Sequence, residues 1–182
     1  MEDKKILRKQ IREKKKEFSL EQKQELSIPI FKMLEQEELF QSSNVVLLYW
    51  SMDDEVYTQD FVKQWYKDKT ILLPCVDGDD LKLRQYQGDS SMVAGEQFGI
   101  LEPVGEEFTS LDKIDLMIIP GVAFDSNKNR MGRGRGFYDR LLKTVNAPKV
   151  GVCFDFQLVD NVPVEEFDVK MDVVVSTTHI YK

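Results

Sequence analysis

The chain is short of metal and redox ligands: it has one histidine, His179, and two cysteines, Cys75 and Cys153, in 182 residues. No CxxC pair occurs, which leaves a Cys/His zinc site without its ligands. Each cysteine sits in an apolar, strand-like run, the setting of a buried thiol in a reducing cytosol. No apolar run approaches the length of a membrane span. The opening MEDKKILRKQ lacks the apolar h-region of a secretory signal. Nothing reads as an interdomain linker, an internal repeat or a low-complexity tract. The two common phosphate motifs are also missing. No GxxxxGK[ST] string is present, and GxGxxG fails at its last position twice, at Phe137 counting from Gly132 and at Asp139 counting from Gly134. Overall positive charge is lacking too. A net charge of −7 argues against a nucleic-acid binder, which shows a basic footprint across a whole face.

What is present fits one domain spanning residues 1–182. A chain of this length buries roughly 70% of the surface its unfolded form exposes, so it needs no disulfide or structural metal. An apolar share of 42% and a charged share of 31% are those of an ordinary globular protein. The charge is unevenly spread. Residues 1–18 carry a local +4 and residues 128–143 a local +5, so the rest holds −16 to reach −7. Two basic islands in an acidic chain suit a small anionic ligand better than a polyanion.

Residues 2–18 read as a helix with a thin apolar stripe of Leu7, Ile11 and Phe18. Ser19 followed by Gln22 has capping-box form and starts a second helix, which Pro29 should kink or break. The continuous apolar runs NVVLLYW (44–50), TILLPCV (70–76), DLMIIP (115–120), KVGVCFDF (149–156) and DVVVS (172–176) suit strands covered on both faces. LKLRQY (81–86) alternates like a more exposed strand. Thr58 is placed to cap a helix running to about Tyr66, and FYDRLLKTV (137–145) reads as another helix. Residues 87–112 mix Gly, Ser, Pro and acidic residues, as loops with short elements do. Strands alternating with helices indicate an α/β domain with a largely parallel sheet.

The stretch GRGRGFYDR (132–140) then stands out. It follows the strand DLMIIP and opens the helix FYDRLLK. In open α/β sheets ligands bind at the carboxyl ends of strands, and a helix N-terminus offers free N–H groups and partial positive charge. Glycines let the backbone approach an anion, and arginines supply fork-shaped donors for phosphate oxygens. Together these features point to phosphate binding. A solvated RG loop and an RG-type RNA contact are the competing readings. Asp139, in the first helical turn, suits either helix-dipole stabilisation or Mg²⁺ held beside phosphates.

The run PGVAFDSNKNRMGRGRGFYDRLL (120–142) resembles the signature of the 5-formyltetrahydrofolate cyclo-ligases, also called methenyltetrahydrofolate synthetases. KKILR (4–8), YWSMDDEVYT (49–58) and PVEEFDVKMDVVVS (163–176) resemble further family segments in the same order. The departures are Asn129 where the family turn usually has Gly, Met131 for Leu, and Arg135 for the usual Lys or Gly. Asn tolerates left-handed backbone angles, so the turn is expected to survive.

The resemblance implies a three-layer α/β/α sandwich around a mostly parallel sheet. It implies ATP- and Mg²⁺-dependent cyclisation of 5-formyltetrahydrofolate, with or without a polyglutamate tail, to 5,10-methenyltetrahydrofolate, by a monomer in the cytoplasm without nucleic-acid or membrane partners. It assigns ATP to Lys4, Lys5, Ile6, Leu7, Arg8, Arg130, Gly132, Arg133, Gly134, Arg135, Gly136, Phe137, Tyr138, Asp139 and Arg140. Folate falls to Trp50, Glu55 and the stretch from Arg133 to Phe137, catalysis to Arg133, Arg135 and Tyr138, and magnesium to Asp139 and Asp168.

Overall fold

A computed structural model describes residues 2–95 and 99–182. The helices are α1 (Glu2–Lys16), α2 (Leu20–Gln36), α3 (Glu38–Gln41), α4 (Gln59–Trp65) and α5 (Phe137–Thr144). The strands are β1 (Val45–Leu47), β2 (Thr70–Asp77), β3 (Asp80–Gln85), β4 (Met92–Ala94), β5 (Leu101–Pro103), β6 (Leu116–Ile119), β7 (Ala123–Asp125), β8 (Arg130–Met131), β9 (Lys149–Val152), β10 (Leu158–Val159), β11 (Val173–Val175) and β12 (Ile180–Tyr181). Of the loop region expected at 87–112, residues 96–98 lie outside the described residues.

Seven strands form the main sheet in the order β12-β11-β9-β6-β1-β2-β3. Neighbours among the five inner strands run parallel, and the edge strands β3 and β12 are antiparallel. The inner strands are apolar throughout because both faces are covered. In β6 every residue is buried. Leu116 and Ile118 face a core built with Ile30, Phe31 and Leu34 of α2, Phe40 of α3 and Phe61 and Val62 of α4. Met117 and Ile119 face the opposite core, with Leu141 and Leu142 of α5. Alternate side chains thus split between two helical layers, as the strand period of two requires. This is the expected three-layer sandwich.

Helix α1 has a different partner. Its Ile11, with Leu7 beside it, packs on Val122, Ala123, Met131 and Val162. Two of these lie in a second sheet, ordered β10-β7-β8. The β7–β8 hairpin went unread in the sequence, where the loop seemed to follow DLMIIP directly. Strands of two or three residues are too short to carry a periodic signal.

Several other expectations need correction. Pro29 lies inside an unbroken α2. The carbonyl it leaves without an amide partner is that of Glu25, an exposed residue. The capping box at Ser19 does form, with Gln22 N donating to Ser19 Oγ at 3.2 Å and Ser19 N donating to Gln22 Oε1 at 2.8 Å. Thr58 precedes α4 but does not cap it. Its hydroxyl donates to the Tyr49 carbonyl and accepts from Ser51 N, which ties down the turn after β1. The runs 44–50 and 149–156 are longer than the ladders β1 and β9. Leu48, Tyr49, Trp50, Cys153 and Phe154 are apolar because they are covered, not because they lie within a strand. In the 125–130 turn the left-handed residue is Lys128, φ 66°, not Asn129. Asn129 instead bonds the buried Asp125 carboxylate through its backbone and side-chain nitrogens, at 3.0 and 2.9 Å.

Candidate active site

Strands β1 and β6 are neighbours, yet the chain leaves them in opposite directions, to β2 over the α4 face and to β9 over the α5 face. That makes a topological switch point, and the crevice at the strands' carboxyl ends is where ligands bind in open α/β sheets. The turn after β1 supplies Asp54 and Glu55. The hairpin after β6 supplies the glycine loop. Gly134 and Gly136 hold φ of 100° and 69°, which side-chain-bearing residues avoid, and Gly136 is the residue from which α5 starts. Helix α1 closes the loop's other side. Arg8 Nε donates to the Gly132 carbonyl at 2.9 Å, and a Cβ on Gly134 would stand 3.4 Å from the Arg8 guanidinium.

Arg133 reaches from this loop to the β1 turn. Its Nη2 lies 2.6 Å from Asp54 Oδ1 and 3.1 Å from Glu55 Oε1. The Glu55 side chain is only 10% exposed. Burial pushes its carboxyl above the usual range, with the Arg133 charge opposing. Lys15 of α1 also reaches Asp54, at 3.3 Å, with its side chain 7% exposed. Burial pushes the Lys15 ammonium down, and Asp54 opposes. Arg130 is buried, donating through Nε to the Pro120 carbonyl at 2.8 Å and pairing with Asp139 Oδ1 at 3.2 Å. Its guanidinium lies 5.3 Å from the Tyr138 ring centre. Burial raises the Tyr138 phenol well above its ordinary value, so it stays neutral. Arg140 points away from this cluster, holding Asp80 Oδ1 at 3.2 Å and the Arg135 carbonyl at 3.2 Å. Arg135 is exposed.

The expected magnesium ligands each have a cationic partner. Asp139 pairs with Arg130, while Asp168 and Glu165 both bind Lys4. Among the described residues no three His, Cys, Asp or Glu side chains converge on one point. Lys4 is buried and ties α1 to the C-terminal segment, whereas Lys5 and Ile6 are exposed and Leu7 packs under the hairpin. Trp50 is buried and stacks on Tyr86 at 5.6 Å. The thiols take no part, since burial lifts Cys75 to about 11 and Cys153 further.

Comparison with known proteins shows the family. The profile of the 5-formyltetrahydrofolate cyclo-ligase family matches residues 1–177. The chain belongs to that family. It is 30% identical to the 5-formyltetrahydrofolate cyclo-ligase of Escherichia coli K12, over 94% of this chain and 99% of that one. It is 28% identical to the mouse (Mus musculus) cyclo-ligase, over 92% and 90%. The solved structure of the Aquifex aeolicus 5,10-methenyltetrahydrofolate synthetase superposes with a TM-score of 0.88 at 34% identity, covering 98% of this chain and 92% of that one. That of Mycoplasma pneumoniae gives 0.75 at 25% identity, covering 95% and 98%.

Within this cyclo-ligase family member, Arg8, Arg130, Arg133, Asp139 and Glu55 lie in or against the glycine loop and its hairpin. Trp50 sits in the core on its aromatic partner, and Arg140 braces α5 against the β2–β3 turn. Sequence reasoning passed over Asp54, Arg12 and Lys15. The spacing of Arg8, Arg12 and Lys15, i, i+4 and i+7, was the available signal, since such residues share a helix face. A larger cleft of about 230 Å³ lies between β3 and α5, lined by Leu83, Phe108, Leu111, Phe137 and Leu141 with Asp80 and Arg140 among its polar residues.

Proposed function

We propose that the protein catalyses the ATP-dependent cyclisation of 5-formyltetrahydrofolate to 5,10-methenyltetrahydrofolate, releasing ADP and phosphate. Family membership supports the substrate. The observation that carries the chemistry is the glycine loop at the switch point, with Arg8 bonded to its Gly132 carbonyl and Arg133 reaching from it to the β1 turn. Phosphoryl transfer depends mainly on positioning and on neutralising phosphate oxygens, and this loop offers both.

An N-formyl oxygen is a poor leaving group. Transfer of the terminal phosphoryl to that oxygen releases ADP and leaves N5=CH–O–phosphate. N10 then attacks the carbon and loses its proton, and phosphate departs as the N5–CH=N10 amidinium forms. Arg133 and Arg135 stabilise the transferred group. Glu55, low in water and bonded to Arg133, accepts from N–H donors of the pterin. Tyr138 stays a neutral phenol and orients the formyl group as a donor. Asp139 and Asp168 fit magnesium, because Oδ2 of Asp139 and Oδ1 of Asp168 have no partner among the described residues and Mg²⁺ takes one or two carboxylates beside phosphates and water. Bound there, Mg²⁺ neutralises phosphate charge.

The test mixes the protein with 5-formyltetrahydrofolate, Mg²⁺ and ATP and follows the near-UV absorbance of the conjugated methenyl product. An ATP-dependent rise is expected. Product formed equally well without ATP would overturn the phosphoryl route.

A further inference from the structure

Between α1 and the glycine loop lies a hollow of about 80 Å³, lined by Arg8, Ile11, Arg12, Lys15, Asp54, Val122 and Arg133. Four of these side chains are cationic and one is a carboxylate. Arg8, Arg12 and Lys15 share one face of α1, and Arg133 approaches from the loop. The volume exceeds the ~30 Å³ share of one liquid water and is of the order of a single tetrahedral oxyanion.

The charges in the hollow are poorly balanced. Asp54 is divided between two cations, Lys15 at 3.3 Å and Arg133 at 2.6 Å. Arg12 has no hydrogen bond or ion pair among the described residues. The Lys15 ammonium is withdrawn from water next to the Arg133 charge, which further disfavours it. A charged group buried this way is stable only when an opposite charge answers it. Asp54 answers part of that need, and Glu55, 3.1 Å from Arg133 Nη2, answers part of the Arg133 charge, which leaves four cations facing two carboxylates.

We propose that this hollow is an oxyanion site in which Arg12 and Lys15 join Arg8 and Arg133 to hold a phosphate group, with Asp54 as the carboxylate that the anion displaces. The proposal rests on the reading of the glycine loop as a phosphate loop and extends it to two α1 residues outside that motif. The shared chemistry is a phosphate oxyanion, and two sources provide it: the terminal phosphate of ATP, or inorganic phosphate retained after ADP forms. Asp54 acts as a positioning residue. In the free protein it pairs with both Arg133 and Lys15, and it gives them up when the stronger anion arrives.

Calorimetric titrations with ATP, with ADP, and with inorganic phosphate at saturating ADP test this on the wild-type chain, Lys15→Met, Arg12→Gln, Asp54→Asn and Arg133→Ala. Lys15→Met should weaken binding roughly tenfold, about 1.4 kcal/mol. If the occupant is the terminal phosphate, the loss appears for ATP and not for ADP. If it is free phosphate, the loss appears for phosphate on the ADP complex. Arg12→Gln should weaken the same ligand by a smaller factor. Asp54→Asn should tighten it, because it removes the competing carboxylate, and a poorly folded variant does not gain affinity. Unchanged binding of both ATP and phosphate in Lys15→Met, with Arg133→Ala still weakening ATP, would overturn the site and leave the proposed function standing. A wild-type chain that binds neither ATP nor phosphate would overturn both.

Discussion

Arg133 joins the loop to the β1 turn through Asp54 and Glu55, so its loss has two separable effects. Arg133→Ala should cut turnover by about 10²–10³, the scale of losing one preorganised donor to a developing charge. Stability at neutral pH should also fall, because the buried Glu55 carboxylate loses its cationic partner. The Glu55 carboxyl, no longer opposed by that guanidinium, should titrate still higher, which carbon-detected NMR would read directly. Glu55 itself carries a pH signature. Its folded value lies above the ordinary one, so the folded state holds that proton more tightly than the unfolded chain. The resulting stabilisation is present below the unfolded pKa and is lost as pH rises through the folded one. At neutral pH the group is therefore a cost. Glu55→Gln should raise Tm at pH 7–8 and flatten the fall in Tm above the ordinary carboxylate range, while lowering turnover. Thermal melts across a pH series check the sign. A Tm lowered at pH 7–8 would refute it.

At the scale of elements, the hairpin β7–β8 carries the site. Phe124 of β7 packs against Gly151 of β9, where any Cβ would overlap the ring and also approach Met171 Cγ to 3.1 Å. Gly151→Ala should destabilise by about 1–3 kcal/mol through overpacking, seen in denaturant melts, and should shift the loop that the hairpin supports. Ser19→Ala removes one half of the α2 capping box and should cost about 1 kcal/mol with no change in turnover. The two variants separate packing that positions the site from packing that only holds a helix. The elements that sequence could reveal were the long ones. A capping box, five apolar runs and the helix after the glycine loop were legible from residue types alone. The hairpin was not, because Ala123–Asp125 and Arg130–Met131 hold too few residues to repeat a pattern, and their apolar side chains divide between two partners, Ala123 and Met131 against α1 and Phe124 against the main sheet.

At the scale of the molecule, α1 closes the site by packing on the small sheet and by the contact of Lys4 with Asp168 and Glu165. A ligand held between α1 and the glycine loop therefore bridges the N-terminal helix, the hairpin and α5. ATP with Mg²⁺ at about 100 times its Kd should stabilise the fold by about 2.7 kcal/mol. For a domain of this size that raises Tm by about 5–10 °C, measurable by calorimetry with and without nucleotide. Lys4→Met should reduce that gain, because it frees the first turn of α1 from the C-terminal segment.

Residue chemistry was enough to determine the layer architecture and to single out residues 132–140 as the loop on which the proposed phosphate chemistry rests. Periodicity reports which faces are covered, and glycine with arginine reports what a loop accommodates. Which charges meet across the chain was decided only by the tertiary structure. Arg133 and Glu55 are 78 positions apart, and Lys4 and Asp168 are 164 apart. Spacing puts Lys15 on one helix face with Arg8 and Arg12, but nothing local says that this face is the buried one while Lys14 and Lys16 are exposed. The difference lies in which helix face docks on the hairpin, and docking is settled by the summed packing of distant apolar residues.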